Sequence, residues 1–148
     1  MKVAVACDHG GFPLKQIVLA AVKAAGHQPL DLGTNGLERV DYPDFARKVG
    51  AAIKAGQADR GVLICGSGAG AAIAANKIRG IYASVCHDTY SAHQAVEHDA
   101  MNVLCLGARI IGPEVARELV TAFLAAAYLD TGNYARRVNQ IHQMEAAL

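Results

Sequence analysis

Short apolar runs, each the length of a buried strand, recur along the chain between longer stretches whose apolar residues return with helical period. The runs are Val3–Cys7, Gln28–Leu32, Gly61–Cys65, Ile81–Cys86 and Val103–Leu106. The helical stretches lie near Pro13–Ala25, Tyr42–Ala55, Gly68–Ile78, Asp88–Glu97 and Pro113–Ala127. Continuous rather than alternating apolar runs mark strands covered on both faces, and strands that alternate with helices connect as right-handed βαβ units. The expected fold class is therefore α/β: a three-layer α/β/α, Rossmann-like, doubly wound sheet of five mainly parallel strands. Pro13 and Pro113 fit first helical turns, while Gly26, Gly56 and Gly80 fit positions just past helix ends. Farther on, Asp130-Thr131-Gly132-Asn133 breaks the pattern and Tyr134–Leu148 resumes as a polar-faced helix carrying Arg136 and Arg137. An extra C-terminal helix of this kind is either a packing strut or an arm toward a second subunit.

A chain of 148 residues suits one domain, spanning 1–148, with one good core and no room for a separate substrate domain. Its 29 alanines and 15 glycines suit helices packed closely on a sheet, and an apolar content of 53% excludes intrinsic disorder. Lys and Arg (14) nearly balance Asp and Glu (13), so the basic stripe that nucleic acid or an anionic membrane demands is missing. An anionic ligand must be held by a few placed groups. Cys7, Cys65, Cys86 and Cys105 form no C-x-x-C pair and no zinc spacing. With no signal-peptide pattern and no apolar run of ~18 residues, the expectation is a soluble cytoplasmic protein without a metal site.

In open parallel sheets, ligands bind beyond the carboxyl ends of the strands. There the sequence places Asp8-His9-Gly10-Gly11, Cys65-Gly66-Ser67-Gly68-Ala69-Gly70, His87-Asp88 and Gly107-Ala108-Arg109. The glycine loop is the most informative segment. Its glycines allow positive φ and close backbone approach, so successive N–H groups ahead of a helix can converge on one anion. That anion is either a bound phosphate or an oxyanion that develops during reaction. The run Gly66 to Ala71 fits the dinucleotide pattern G-x-G-x-x-G/A, and Asp88 follows at about the ~20-residue spacing of that motif. Against a nucleotide-binding module, the loop follows the third strand rather than the first, and a cysteine precedes it. A thiol at Cys65, facing amides and a helix N-terminus, should have its thiolate stabilised near neutral pH, whereas Cys7, Cys86 and Cys105 read as small buried hydrophobes. His98 is either a partner in that chemistry, as in a cysteine-dependent hydrolase, or a cation on a helix C-terminus. Arg109 is either an anion ligand or a surface charge.

Read together, Asp8-His9-Gly10-Gly11-Phe12, Asp41-Tyr42-Pro43, Cys65-Gly66-Ser67-Gly68-Ala69-Gly70, Ala74-Ala75-Asn76-Lys77, Glu97-His98, Asn102-Val103-Leu104 and Gly107-Ala108-Arg109 give the chain a family likeness. It resembles, over essentially its whole length, the ribose-5-phosphate isomerase B family, with its galactose-6-phosphate and allose-6-phosphate isomerases. The resemblance implies a cofactor-free aldose–ketose isomerase acting through an enediolate, with ribose 5-phosphate and ribulose 5-phosphate as first choice and an allose, galactose or tetrose phosphate next. It implies Cys65 as base; the family's other pattern, with glycine there and glutamate where Ala71 stands, is not followed. Ser67 and the amides of Gly66, Gly68, Ala69 and Gly70 would stabilise the enediolate, His98 would open the furanose ring, and Asp8 would position hydroxyls. His9, Arg109 and Arg137 match phosphate ligands, and Tyr42 lines the pocket. In the family the C-terminal arginines reach a neighbouring site, which implies a homodimer, or a tetramer built from it, with residues 130–148 at the interface. Two departures stand out. Asp99 replaces the usual Asn, placing a carboxylate beside the sugar, and Asn133-Tyr134 replaces an Arg-His pair, removing one phosphate cation for which Arg136 is a candidate substitute.

Overall fold

The computed structural model describes residues 1–148. The elements run β1 (Lys2–Cys7), α1 (Phe12–Ala24), β2 (Gln28–Asp31), α2 (Tyr42–Lys54), β3 (Arg60–Cys65), α3 (Ala69–Ala75), β4 (Ala83–Val85), α4 (Thr89–Asp99), β5 (Val103–Gly107), α5 (Pro113–Ala125) and α6 (Gly132–Ala146). The five strands form one sheet in the order β2-β1-β3-β5-β4, and every pairing is parallel. The doubly wound α/β/α expectation is met.

The strand order dictates which helix covers which face. Connections from β1 to β2 and from β4 to β5 move one way across the sheet, while those from β2 to β3 and from β3 to β4 move the other way. Right-handed crossovers then put α1 and α4 on one face and α2 and α3 on the other. The two halves of the core follow this division. Val3, Val5, Cys7, Val62, Ile64, Leu104 and Leu106 pack with α1, α4 and α5. Their neighbours Ala4, Ala6, Leu63, Cys65, Val103 and Cys105 pack with α2 and α3. Successive strand residues thus feed opposite layers, as the two-residue period of a strand requires.

Several boundaries differ from the sequence expectation. Strand β4 is three residues rather than Ile81–Cys86, because it lies at the sheet edge and pairs only with β5, leaving Ile81 to the core beneath α2 and α3. Helix α3 stops at Ala75 because Asn76 turns its side chain onto Ala83, donating to the carbonyl and accepting from the amide, each at 2.8 Å. Helix α4 runs on to Asp99, so His98 lies inside its last turn. Helix α6 begins at Gly132, two residues early. It packs on its own chain: Val138 is buried, Glu145 accepts from the Gly80 amide at 2.6 Å and from the Tyr82 hydroxyl at 3.2 Å, and His142 stacks on Tyr82. No helix is long and apolar enough to cross a membrane.

Lys15 of α1, only 2% exposed, reaches Asp31 at 2.9 Å and the Asn35 side-chain oxygen at 2.7 Å. A buried ammonium is tolerated only when paired and hydrogen-bonded in this way. The pairing fixes the start of the loop after β2 against the carboxyl end of β1, where the reactive residues gather.

Candidate active site

Leaving β1, the chain turns toward β2 on one side, whereas β3 lies on the other, so a crevice opens at the carboxyl ends of these two strands. A cleft of about 330 Å³ occupies it, lined by Asp8, Tyr42, Cys65, Gly66, Ser67, Gly70, Arg109 and Ile110. A slightly larger hollow of about 370 Å³ lies elsewhere, between Lys2, Gln28, Pro29, Leu30 and Gln57, and carries no nucleophile or titratable pair. No group of three or more His, Cys, Asp or Glu side chains is placed to hold a metal ion.

Cys65 is the last residue of β3, and its Sγ accepts the Gly68 N–H at 3.1 Å. That bond requires the loop to double back within three residues, and Gly68 does so at φ 83°, where a side chain would be strained. Gly70 serves a different purpose: a Cβ there would lie 2.8 Å from the Tyr42 ring, so its absence lets the phenol close the cleft. The Ala69 N–H points to Ser67 Oγ at 3.3 Å. The amides of Gly66, Ser67, Gly70 and Ala71 have no acceptor within the chain. Of the loop amides expected from the sequence to face an anion, Gly68 serves the sulfur and Ala69 the serine hydroxyl.

The cleft's other walls come from neighbouring strand ends. Asp8 is 7% exposed; its Oδ1 accepts the Gly11 N–H at 2.9 Å, leaving Oδ2 without a partner in the chain. His9, next to Asp8 but not among the lining residues, turns its Nδ1 to the Val40 backbone, 3.2 Å from the carbonyl oxygen and 3.3 Å from the nitrogen. Arg109 lies against Gly66 and makes no ion pair. Its loop is tied beneath the nest, with Ala108 N–H on Cys65 O at 2.9 Å and Arg109 N–H on Gly66 O at 3.0 Å. His87, placed at a strand end by the sequence but given no task, completes the tie: its Nε2 accepts the Gly107 N–H at 3.0 Å, and burial holds its pKa below the ordinary imidazole value. Only the neighbouring position of His87 at a strand end hinted at this.

The structure does not bring His98, Asp99, Asn133 or Arg137 into this cleft. Helix α4 starts at the cleft's rim and runs back toward the strand starts, and at 1.5 Å per residue His98 lies about 14 Å along it. Asp99 lines a groove with Tyr82, Met101 and Ile141 at that opposite rim. Asn133 and Arg137 sit exposed on α6, and Arg136 reaches only Asn133, at 3.4 Å.

The parallel α/β sheet carries a strand-end thiol hydrogen-bonded beside free backbone amides at its carboxyl rim. The family model for ribose/galactose isomerase matches residues 3–141. Ribose-5-phosphate isomerase B of Escherichia coli K12 is 44% identical over 144 residues, covering 97% of this chain and 96% of that protein. The solved ribose-5-phosphate isomerase B of Clostridium thermocellum superposes with a TM-score of 0.95 at 44% identity, covering 99% of each chain. That of Mycoplasma genitalium, solved with bound ribulose-5-phosphate, does so at 0.91 and 36% identity, covering 99% of this chain and 97% of the other. The protein is accordingly a sugar isomerase of the aldose–ketose type. It belongs to the ribose/galactose isomerase family.

Proposed function

We propose that the protein interconverts ribose 5-phosphate and ribulose 5-phosphate, with Cys65 as the base. The observation that carries this reading is the Cys65 sulfur, seated in the cleft on the Gly68 N–H and beside amides with no other acceptor. In the open-chain aldose, the thiolate takes the proton from C2 as the carbonyl oxygen on C1 gains negative charge. Donors fixed in advance around that oxygen are worth about 3 kcal/mol each in the transition state. Ser67 and the free nest amides supply them. The hydroxyl proton on O2 then passes to O1 by way of water, and the proton on sulfur returns to C1, giving the ketose. Asp8 Oδ2 orients hydroxyls, while Arg109 and His9 face the phosphate end with Tyr42 as wall.

The same reading gives His98, Asp99, Asn133 and Arg137 to the cleft of a second copy of the chain, since none of them lines the cleft of its own. Residues 1–148 then act as one domain whose segment 130–148 lies at a homodimer interface, with a tetramer as a further assembly. The test is a panel of ribose, allose, galactose and tetrose phosphates assayed in deuterated water. Fastest turnover is expected with ribose 5-phosphate, with solvent deuterium at the carbon that receives the proton. Faster conversion of another sugar phosphate would reassign the substrate, and failure to convert any would overturn the reading.

A further inference from the structure

Two elements converge on His98. Its imidazole lies flat on the Tyr134 ring of α6, centroids 4.1 Å apart and planes 13° from parallel. One turn back along α4, the Gln94 amide nitrogen sits 2.7 Å from His98 Nδ1. An amide nitrogen can only donate, so Nδ1 accepts and the neutral ring keeps its proton on Nε2, the atom without a partner in the chain. The stack fixes the plane of the ring and the amide fixes its rotation within that plane. Tyr134 is itself held, because α6 is anchored at its far end by Glu145 on Gly80 and Tyr82 and by His142 on Tyr82. Tyr134 is also one of the two residues that depart from the family's Arg-His pair.

We propose that Gln94 and Tyr134 are positioning residues that hold His98 so that Nε2–H alone meets the sugar. The proposal rests on the reading that His98 opens the furanose ring. In that step the C1–O4 bond breaks with its electron pair staying on O4, which the Nε2–H holds in a hydrogen bond while O4 takes a proton from water. The hydroxyl on C1 loses its proton to water as the carbonyl forms, and the imidazole stays neutral throughout. Nothing is oxidised or reduced. A ring held at the wrong angle would stabilise the departing O4 poorly while leaving the Cys65 cleft untouched.

Ribulose 5-phosphate separates the two events, since its O5 is esterified and it cannot close to a five-membered ring. Exchange of its C1 proton with solvent needs enolisation but no ring opening. In Tyr134→Ala and Gln94→Leu, kcat/KM for ribose 5-phosphate should fall about 10-fold to 100-fold, the scale of a misplaced catalytic group. Deuterium wash-in at C1 of ribulose 5-phosphate should stay near the native rate, and Tyr134→Phe, which keeps the stack, should restore ribose 5-phosphate turnover. Equal loss of both reactions in both variants, or loss of neither, would overturn the proposal. His98→Ala tests the reading beneath it: that variant should lose ribose 5-phosphate turnover and keep wash-in. Unimpaired ribose 5-phosphate turnover in His98→Ala would remove ring opening from His98, whatever Tyr134 does.

Discussion

Four buried cysteines divide into three structural thiols and one in the cleft, and position decides the difference. Cys7 is sealed at 0% exposure, donates its S–H to the Thr34 carbonyl at 3.8 Å, and is pushed up to about 11 by loss of water. Burial raises Cys86 and Cys105 as well. All three are neutral, unreactive thiols near pH 7. Cys65 alone combines a place in the cleft with an N–H on its sulfur. Iodoacetamide is therefore expected to modify Cys65 first, with loss of activity and protection by saturating sugar phosphate; peptide mass spectrometry reads the site, and faster labelling of another cysteine would contradict this. Cys65→Ala should lower kcat by about 10²-fold to 10⁴-fold, the range for loss of a positioned base. The sequence carried this distinction, since a cysteine before a glycine loop at a strand end already differs from one inside an apolar run. It did not carry the job of each glycine. Gly68 and Gly70 look alike on paper, and only folding reveals that one bends the loop while the other makes room for Tyr42.

Strands and helices were legible because continuous apolar runs and helical periods are local signals. The order of β4 and β5 was not, because which strand lies next to β3 depends on contacts distant in sequence. The task of His87, visible only as a strand-end residue, was illegible for the same reason: it emerges only once β4 and β5 are neighbours and its Nε2 meets the Gly107 N–H. Gly107 has no room to move, as a Cβ there would lie 2.6 Å from the Ser67 backbone. A protonated imidazole cannot accept a hydrogen bond, so protonation of His87 breaks the tie beneath the nest. The sign follows from the lowered folded pKa. The unfolded chain takes up the proton first as pH falls, so stability from this group is complete above 6.5, the ordinary value, and is lost as pH drops through the lower folded value. Asp88, lowered by hydrogen bonds from Ser91, acts in a separate window below 3.8. The urea midpoint should accordingly decline between pH 7 and pH 5, and His87→Asn should flatten that decline; an unchanged slope in the variant would remove His87 as its source.

At the scale of the molecule, the two sets of candidate side chains lie toward opposite ends of the sheet. Cys65, Asp8, Ser67 and Arg109 occupy the carboxyl rim, and His98, Asp99 and Arg137 lie near the strand starts or on α6. Sequence could assemble the first set, because strand ends are predictable, but could not show that the second was out of reach. The proposal that two chains share each site makes a plain prediction. Mixing Cys65→Ala with His98→Ala chains and allowing subunits to exchange should restore about a quarter of native ribose 5-phosphate activity, because a symmetric heterodimer keeps one intact site and one doubly defective. No recovery despite proven exchange would place both residues in one chain's site. The distance along α4 then carries a consequence for supply and demand. An enzyme whose smallest working unit is a pair has an output that rises with about the square of chain abundance wherever pairs are scarce, and in simple proportion once they are plentiful. Expression level would set not only how much isomerase a cell holds but how steeply its sugar-phosphate flux answers a change in that level.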